Sequence, residues 1–232
     1  MRMRLLALDT STEACSVALL TGRASIERSR EVGRGHGEEI LGMVDDVLGE
    51  ARLSLGQLDG IAAGVGPGSF TGVRISVAVA QGLAFGAGLA VVPVTTLEAL
   101  ALRALEEGAE RVLACLDARM GELYWGCFAA HAAEGVVALG APAVSAARDV
   151  RLAGAGRYRG IGRGFAAYPE LGAIAGLELP PDAAGLLPRA REMALLGALR
   201  LRAGGAVQPA DLQPQYLRDK VALTEAERGN AK

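Results

Sequence analysis

The stretch from Gly66 to Gly86, GPGSFTGVRISVAVAQGLAFG, constrains the fold more than any other part of the chain. The apolar run before it, residues 60–65, predicts a buried strand, and the residues from Thr71 onward predict a helix with almost no polar face. A glycine-rich loop that leads into a helix offers an anion free backbone N–H groups and the positive end of the helix dipole. The pattern therefore favours an α/β protein with a phosphate-binding loop. A tight turn that needs glycine only for its backbone geometry is the open alternative.

The spacing of these glycines excludes two common nucleotide-binding loops. A P-loop needs a lysine directly after its last glycine, whereas the two lysines of this chain are Lys220 and Lys232. The glycines at positions 66, 68 and 72 also fail the GxGxxG spacing of a dinucleotide-binding fold. Any phosphate site here must follow another design.

Composition bounds the class of protein. The chain has 232 residues, 51% hydrophobic and 22% charged, with a net charge of −2, which argues against nucleic-acid binding by bulk electrostatics. Its cysteines, Cys15, Cys115 and Cys127, lie in apolar strand-like runs without a CxxC pair, which is typical of core residues in a reducing compartment. The first residues do not match a signal peptide, and no uninterrupted apolar run approaches 18 residues. We expect a cytoplasmic protein without a membrane partner.

A pattern of strand, acid, turn and strand occurs twice. Residues 5–20 read LLALDTSTEACSVALL and residues 113–128 read LACLDARMGELYWGCF, so that Asp9 aligns with Asp117 at an offset of 108 positions. This similarity indicates an internal duplication and predicts a two-lobed α/β protein, with chance similarity in an apolar chain as the alternative.

Two predicted helices have broad apolar surfaces. Residues 36–52 place apolar side chains over roughly 160° of the helix circumference. Residues 71–86 carry at least two apolar stripes, interrupted only by Arg74 and Gln81. Each helix needs cover on a second side, either from the other lobe or from a partner protein, and the pattern alone leaves both open.

Five segments together resemble one known family over nearly the whole chain. They are LALDTSTEACSVALL (6–20), GPGSFTGVRISVAVAQGLAFG (66–86), VPVTTLEALA (92–101), LDARMGELYW (116–125) and QPQYLRD (213–219). The chain resembles the TsaB (YeaZ) family of tRNA threonylcarbamoyladenosine biosynthesis. The resemblance implies an actin-like, Hsp70-like ATPase (ASKHA) fold, in which each of two lobes has a mixed sheet flanked by helices. We expect residues 1–104 to form the first lobe, completed by residues 205–225, and residues 105–204 to form the second.

The resemblance also implies a function and partners. The chain would be a non-catalytic scaffold that pairs with a TsaD-type catalytic subunit, in an assembly that also binds a TsaE-type ATPase and, through the complex, tRNA. In isolation it would form a homodimer through the same two helices. The residues expected at this interface are His36, Ile40, Met43, Val44, Val47, Val73, Val77, Ala80, Gln81 and Ala84.

The same comparison predicts that the chain has no metal site and no cofactor. TsaD-type proteins hold a metal through an HxxxH helix, and the matching positions here are Thr96 and Leu100, which are poor ligands. The chain has only two histidines, His36 and His131. A zinc peptidase is therefore the least favoured function.

A vestigial nucleotide site stays possible at the two acids and the glycine loop. Its candidate residues are Asp9, Thr10, Ser11, Gly66, Gly68, Ser69, Asp117 and Arg119. Acids at strand ends also commonly cap backbone N–H groups, and Arg119 could bind phosphate or simply pair with Glu122. An active nucleotide-dependent transferase is the alternative function. The arginines between Arg148 and Arg163 would contact tRNA or form a solvated surface.

Overall fold

The structure, a computed structural model, describes residues 3–33 and 35–218. Within these residues the strands form two sheets and the helices lie on their faces. The first sheet contains β1 (Arg4–Asp9), β2 (Ala14–Thr21), β3 (Ala24–Glu31), β4 (Gly60–Gly64) and β5 (Val91–Val94). The second contains β6 (Arg111–Arg119), β7 (Glu122–His131), β8 (Gly135–Ala138), β9 (Ala143–Ser145), β10 (Tyr158–Ile161) and β11 (Leu177–Glu178). The helices are α1 (His36–Ala51), α2 (Phe70–Ala87), α3 (Thr96–Glu106), α4 (Gly164–Ala167) and α5 (Ala190–Arg202).

The two sheets repeat one topology. The first has the order β3-β2-β1-β4-β5, and the second has β8-β7-β6-β10-β11, with β9 added beside β7. In each, the first strand of the repeat runs antiparallel to the next strand and parallel to the strand on its other side. The internal duplication predicted from the sequence is thus confirmed strand by strand, and the chain has the α/β, ASKHA-like fold that its motifs imply.

Alternating side chains along the strands build three apolar layers. In β1, Leu6 and Leu8 face α1 and α2, whereas Leu5 and Ala7 face a central layer that contains α3 and α5. This central layer also packs on one face of the second sheet, whose other face is covered by α4 and neighbouring loops. The central layer therefore joins the two lobes.

The position of α5 differs from the expected division into lobes. The sequence-based expectation grouped residues 105–204 in the second lobe, but α5 lies against the first sheet. A Cβ on Gly197 would lie 2.6 Å from the Cβ of Ala62 in β4. The helix begins at Ala190, two residues after Pro188, which favours an extended backbone for the residue before it.

The described end of the chain returns to the first lobe. Val207 pairs with Val91 in an isolated antiparallel bridge, and Leu212 is buried against the first sheet. These contacts lie within the segment 205–225, whose completion of the first lobe stays a prediction. Residues 219–225 of that segment lie outside the described ones.

Among the described residues, α2 is the one helix that is long and apolar enough to cross a bilayer by length and composition. Its mean hydropathy is 1.3 over 18 residues, and 33% of that stretch is buried in the fold. Core helices of water-soluble proteins pass the same test, so this signal is weak. The absence of a membrane partner stays a prediction.

Candidate functional site

The glycine loop, residues 66–72, packs directly on the turn between β1 and β2. A Cβ on Gly68 would lie 2.1 Å from the carbonyl oxygen of Ser11, and one on Gly72 would lie 2.0 Å from that of Thr10. The Ser69 N–H donates to the Ser11 carbonyl at 2.7 Å, and the Thr10 hydroxyl donates to the Gly72 carbonyl at 2.6 Å. The loop thus needs glycine for close approach of two backbones. This corrects its interpretation as an open cradle of free N–H groups.

The start of α2 also differs in detail from expectation. The helix begins at Phe70, one residue before the predicted start at Thr71, and Ser69 caps it with a side chain that accepts the Gly72 N–H. Gly66 adopts a φ of +94° and its carbonyl accepts the N–H of Thr96 at 2.9 Å. The loop is therefore tied to α3 as well as to the first hairpin turn.

Asp9 is a buried acid at the end of β1. Its Oδ1 accepts hydrogen bonds from the Ser11 hydroxyl at 2.6 Å and the Ser11 N–H at 3.2 Å, while Oδ2 has no hydrogen-bond partner among the described residues. Burial raises the pKa of Asp9 from 3.8 to about 6, against the opposing effects of the Ser11 bonds and the nearby His36. Part of the capping role proposed for this acid is thus present, but one oxygen is unsatisfied.

Asp117, its counterpart in the second repeat, lies in a more open turn. Its Oδ1 accepts the N–H of Arg119 at 2.8 Å, the same two-residue spacing as in the first turn. Its Oδ2 lies 3.3 Å from the guanidinium of Arg119, and the Asp117 side chain is 25% exposed. Arg119 also pairs with Glu13 across the molecule at 3.1 Å, while Glu122 pairs instead with Arg218.

The second turn, between β6 and β7, is built from residues whose backbone adopts the left-handed conformation. Arg119 and Met120 have φ values of 61° and 57°, which cost non-glycine residues roughly 1 kcal/mol each. Gly121 follows with a φ of 80°. The turn therefore places the backbone of Arg119 beside the space between the lobes.

A cleft of about 710 Å³ lies between the two lobes. Six of the candidate nucleotide-site residues line it or adjoin its lining: Ser11, Gly68, Ser69, Asp117 and Arg119 line it, and Asp9 lies behind Ser11. Thr10 and Gly66 are absent from the lining, because both are buried in the packing of the loop on the turn. The structure thus brings most of the predicted site to one place.

The sequence analysis missed several cleft residues. Arg163 at the start of α4, Glu13 in the first turn, and the segment 215–218 all line the cleft. They come from distant parts of the chain, so no local motif marks them. Arg163 was named only within a group of arginines expected to contact tRNA or form a solvated surface, and its sequence neighbours do not indicate that it lines the cleft.

The eight apolar residues expected at a partner interface are buried inside this chain. Ala80 and Ala84 are fully buried, and none of the eight exposes more than 7% of its surface. The eight are Ile40, Met43, Val44, Val47, Val73, Val77, Ala80 and Ala84, and all but Val73 belong to the core between the helices and the first sheet. The expectation was wrong for these residues, because the small side chains of α2 allow it to approach its own sheet closely.

The two polar residues of that set are also engaged within the chain. A ring nitrogen of His36 lies 2.9 Å from the Thr12 carbonyl and the residue lines the cleft, while the Gln81 amide donates to the Leu212 carbonyl at 3.1 Å. Neither points to a partner surface.

The exposed side of these helices is a different set of residues, here called the outer face. It comprises the exposed residues Leu41, Gly42, Ala78, Gly82 and Phe85. Phe85 is 84% exposed, an unusual position for a large apolar side chain. A Cβ added at Gly42 or Gly82 would meet no atom within 4 Å.

The positions matched to metal ligands are structural. The Thr96 hydroxyl donates to the Pro67 carbonyl at 2.5 Å, and Leu100 is fully buried in the central layer. Within residues 3–33 and 35–218, no group of three His, Cys, Asp or Glu side chains is arranged to hold a metal ion. His36 and His131 lie in separate lobes.

Comparison with known proteins identifies relatives over most of the chain. A family model for TsaD, tRNA N6-adenosine threonylcarbamoyltransferase, matches residues 28–159. The Escherichia coli tRNA threonylcarbamoyladenosine biosynthesis protein TsaB is 41% identical over 229 residues, which cover 95% of this chain and 96% of that protein. The TsaB protein of Haemophilus influenzae is 52% identical over 124 residues, covering 53% of this chain and 52% of its own length.

Solved structures agree with the sequence relatives. YeaZ from Pseudomonas aeruginosa superposes with a TM-score of 0.86 at 41% identity, covering 93% of this chain and 100% of that one. A second structure, an uncharacterized protein of P. aeruginosa with similarity to peptidase YEAZ, gives a TM-score of 0.84 at the same identity.

Proposed function

The chain belongs to the TsaB (YeaZ) family, and from this membership we propose that it is a non-catalytic subunit that pairs with a TsaD-type catalytic subunit through its outer face. Its involvement in tRNA threonylcarbamoyladenosine biosynthesis follows from the family itself. The scaffold role, the partner and the surface are our proposal, and the observation that carries it is the exposed glycine on two neighbouring helices.

Glycine inside a helix needs a reason. Each interior glycine destabilises a helix by about 0.5–1 kcal/mol relative to alanine. The chain carries Gly42 and Gly49 in α1 and Gly82 and Gly86 in α2, where an added Cβ would meet nothing within 4 Å. Packing among the residues that the structure describes therefore does not require them. Close approach by helices of another protein would, because the distance between packed helices is set by the side chains at the contact.

The apolar residues around these glycines support the same proposal. Phe85 and Leu41 are exposed, and Ile75, Val79 and Leu83 are only partly buried. Large apolar side chains grouped on one surface are typical of protein interaction sites. A second copy of the chain would compete for this surface, which supports the expected homodimer in the absence of the partner.

The cleft supports the non-catalytic role better than a nucleotide-dependent activity. The glycine loop packs on the first hairpin turn, and two N–H groups there are used within the chain: that of Ser11 donates to Asp9 and that of Ser69 donates to the Ser11 carbonyl. The alternative, an active nucleotide-dependent transferase, draws its support from the 710 Å³ cleft. Calorimetric titration with ATP and Mg²⁺ separates the two: we expect at most weak binding, and tight binding lost in Asp9→Ala would favour the transferase.

The pairing is tested with Gly82→Arg. Arginine has a better helix propensity than glycine, so the isolated variant should be at least as stable as the wild type. At the outer face its bulk and charge should block pairing with the TsaD-type protein in size-exclusion chromatography with light scattering. The tRNA of cells that carry only this variant should lack threonylcarbamoyladenosine.

Two further variants make the result specific. Ala133→Arg adds the same charge at an exposed turn of the second lobe and should pair normally. Ala80→Arg, only two residues from Gly82, buries a charge in the core and should prevent folding, as seen by circular dichroism. A folded Gly82→Arg protein that pairs with wild-type affinity would show that the outer face is not the interface.

A further inference from the structure

Charged residues from both lobes meet at the mouth of the cleft. Arg163 of the second lobe lies 2.5 Å from Glu31 and 3.9 Å from Glu13, which both belong to the first lobe. Arg119 of the second lobe lies 3.1 Å from Glu13. These four residues form one alternating set of carboxylates and guanidinium groups, here called the latch.

The segment 215–218 makes a second bridge, here called the strap. At one end, the Gln215 N–H donates to the carbonyl of Val65 in the first lobe at 2.7 Å. At the other end, Arg218 donates to Glu122 at 2.6 Å and to the Arg119 carbonyl at 3.4 Å, both in the β6–β7 turn of the second lobe. Four consecutive residues therefore connect the lobes directly.

The middle of the strap is also anchored. The Tyr216 hydroxyl accepts a hydrogen bond from Arg74 at 2.9 Å, and its ring lies 6.1 Å from that of Phe70. Leu217 packs against the apolar central layer. The strap is thus fixed to the first lobe before it crosses to the second.

The position of these bridges gives them mechanical importance. The lobes are joined by the buried central layer, so any opening of the cleft must separate the residues at its mouth. One exposed ion pair contributes only about 0–1 kcal/mol. Here several pairs act on the same motion, and the side chains of Arg163 and Arg218 are only 30% and 16% exposed.

We infer that the latch and the strap hold the cleft of this chain closed without a bound ligand. Three arginines that line the cleft, Arg119, Arg163 and Arg218, form ion pairs with carboxylates of the chain itself. These guanidinium groups are the ones that a bound phosphate would otherwise contact. This inference goes beyond the proposed pairing, and its test needs no partner protein.

The test measures the distance between the lobes by pulsed electron spin resonance. Spin labels are attached at Ser29→Cys in the first lobe and Glu170→Cys in the second, both exposed, whereas the three native cysteines are buried. We expect a narrow distance distribution in the otherwise wild-type chain. Arg163→Gln combined with Arg218→Gln should broaden it and shift it to longer distances.

Salt should act in the same direction, because the Debye length falls to about 3 Å at 1 M salt. Arg157→Gln is the matched control and should leave the distribution unchanged, because among the described residues Arg157 pairs with Glu178 of its own lobe. Exchange of the charges, Arg163→Glu with Glu31→Arg, should restore the narrow distribution relative to Arg163→Glu alone.

The inference is overturned by either of two results. One is a wild-type distribution as broad as that of the double variant. The other is an unchanged narrow distribution in a double variant whose far-ultraviolet circular dichroism matches the wild type.

Discussion

The two hairpin turns that end in Asp9 and Asp117 occupy equivalent places in the two sheets but have different surroundings. Both acids follow the first strand of a repeat, and both accept the N–H of the residue two positions later. Asp9 is fully buried, and one of its oxygens has no hydrogen-bond partner within residues 3–33 and 35–218, whereas Asp117 is partly exposed and faces Arg119. Equivalent local sequence therefore does not fix the environment of the acid.

The difference comes from the glycines that pack on each hairpin. In the first repeat, Gly64, Gly68 and Gly72 approach Asp9, Ser11 and Thr10 so closely that the turn is covered. In the second repeat, Gly162 approaches Cys115, where a Cβ would lie 2.2 Å from the carbonyl oxygen, two residues before Asp117. The loop that contains Gly162 thus packs on β6 before the second turn, and the turn itself faces the cleft.

The largest effect is expected from adding a side chain where the glycine loop packs on the first hairpin turn. Gly72→Ala would place a Cβ 2.0 Å from the backbone carbonyl oxygen of Thr10, and neither backbone can move without disturbing β1. We expect a loss of about 3 kcal/mol in the free energy of unfolding. Urea denaturation measures it.

Gly82→Ala on the same helix is the matched control for this change. Its Cβ would meet open space, so the variant should gain up to about 1 kcal/mol from helix propensity. Equal effects at the two glycines would mean that Gly72 is not held against the turn, and the comparison between the two hairpins would lose its cause.

The next effect is the pH dependence that the buried acid imposes. The folded pKa of about 6 lies above the unfolded value of 3.8, so the folded chain binds more protons than the unfolded chain between these values. The free energy of unfolding should therefore fall as the pH rises from about 4 to about 6. Above that range, the full loss caused by the buried, ionised Asp9 is present. The rise of the pKa from 3.8 to about 6 corresponds to about 3 kcal/mol.

Asp9→Asn isolates this contribution, because an amide does not titrate. The substitution also replaces a buried oxygen with an NH₂ group, so the slope of stability against pH, rather than stability itself, is the informative measurement. The variant should show a shallower decline between pH 4 and pH 6, and the part that remains includes Glu27, whose pKa burial also raises. A wild-type slope that persists in Asp9→Asn would assign the decline to other groups.

Much of the fold could be predicted from the sequence, because its signals are local. The apolar run at residues 60–65 predicted β4, and the offset of 108 positions predicted the repeated hairpins. The two faces of α2 could not be assigned in this way. Both faces are apolar, and small residues such as Ala80 indicate close packing without saying whether the neighbour is the chain's own sheet or another protein.

The cleft was only partly predictable for a related reason. Its acids and glycine loop are marked by turns that follow strands, which is a short-range signal. The pairs that close its mouth join residues far apart in sequence, such as Arg163 with Glu31 and Arg218 with Glu122. An isolated arginine carries no information about which carboxylate it will meet, so these contacts emerge only when both sheets are placed.

The smallest effect is expected at the open turn. Asp117→Asn removes the ionic contact with Arg119, but the amide oxygen can still accept the Arg119 N–H and preserve the turn. The Arg119 side chain is 74% exposed, so the pair is screened by water and should contribute less than about 1 kcal/mol. Urea denaturation at pH 7 should therefore give a midpoint near that of the wild type, in contrast to Gly72→Ala. A loss as large as that of Gly72→Ala would mean that the second turn is as tightly packed as the first, and that the two repeats differ less than their structures indicate.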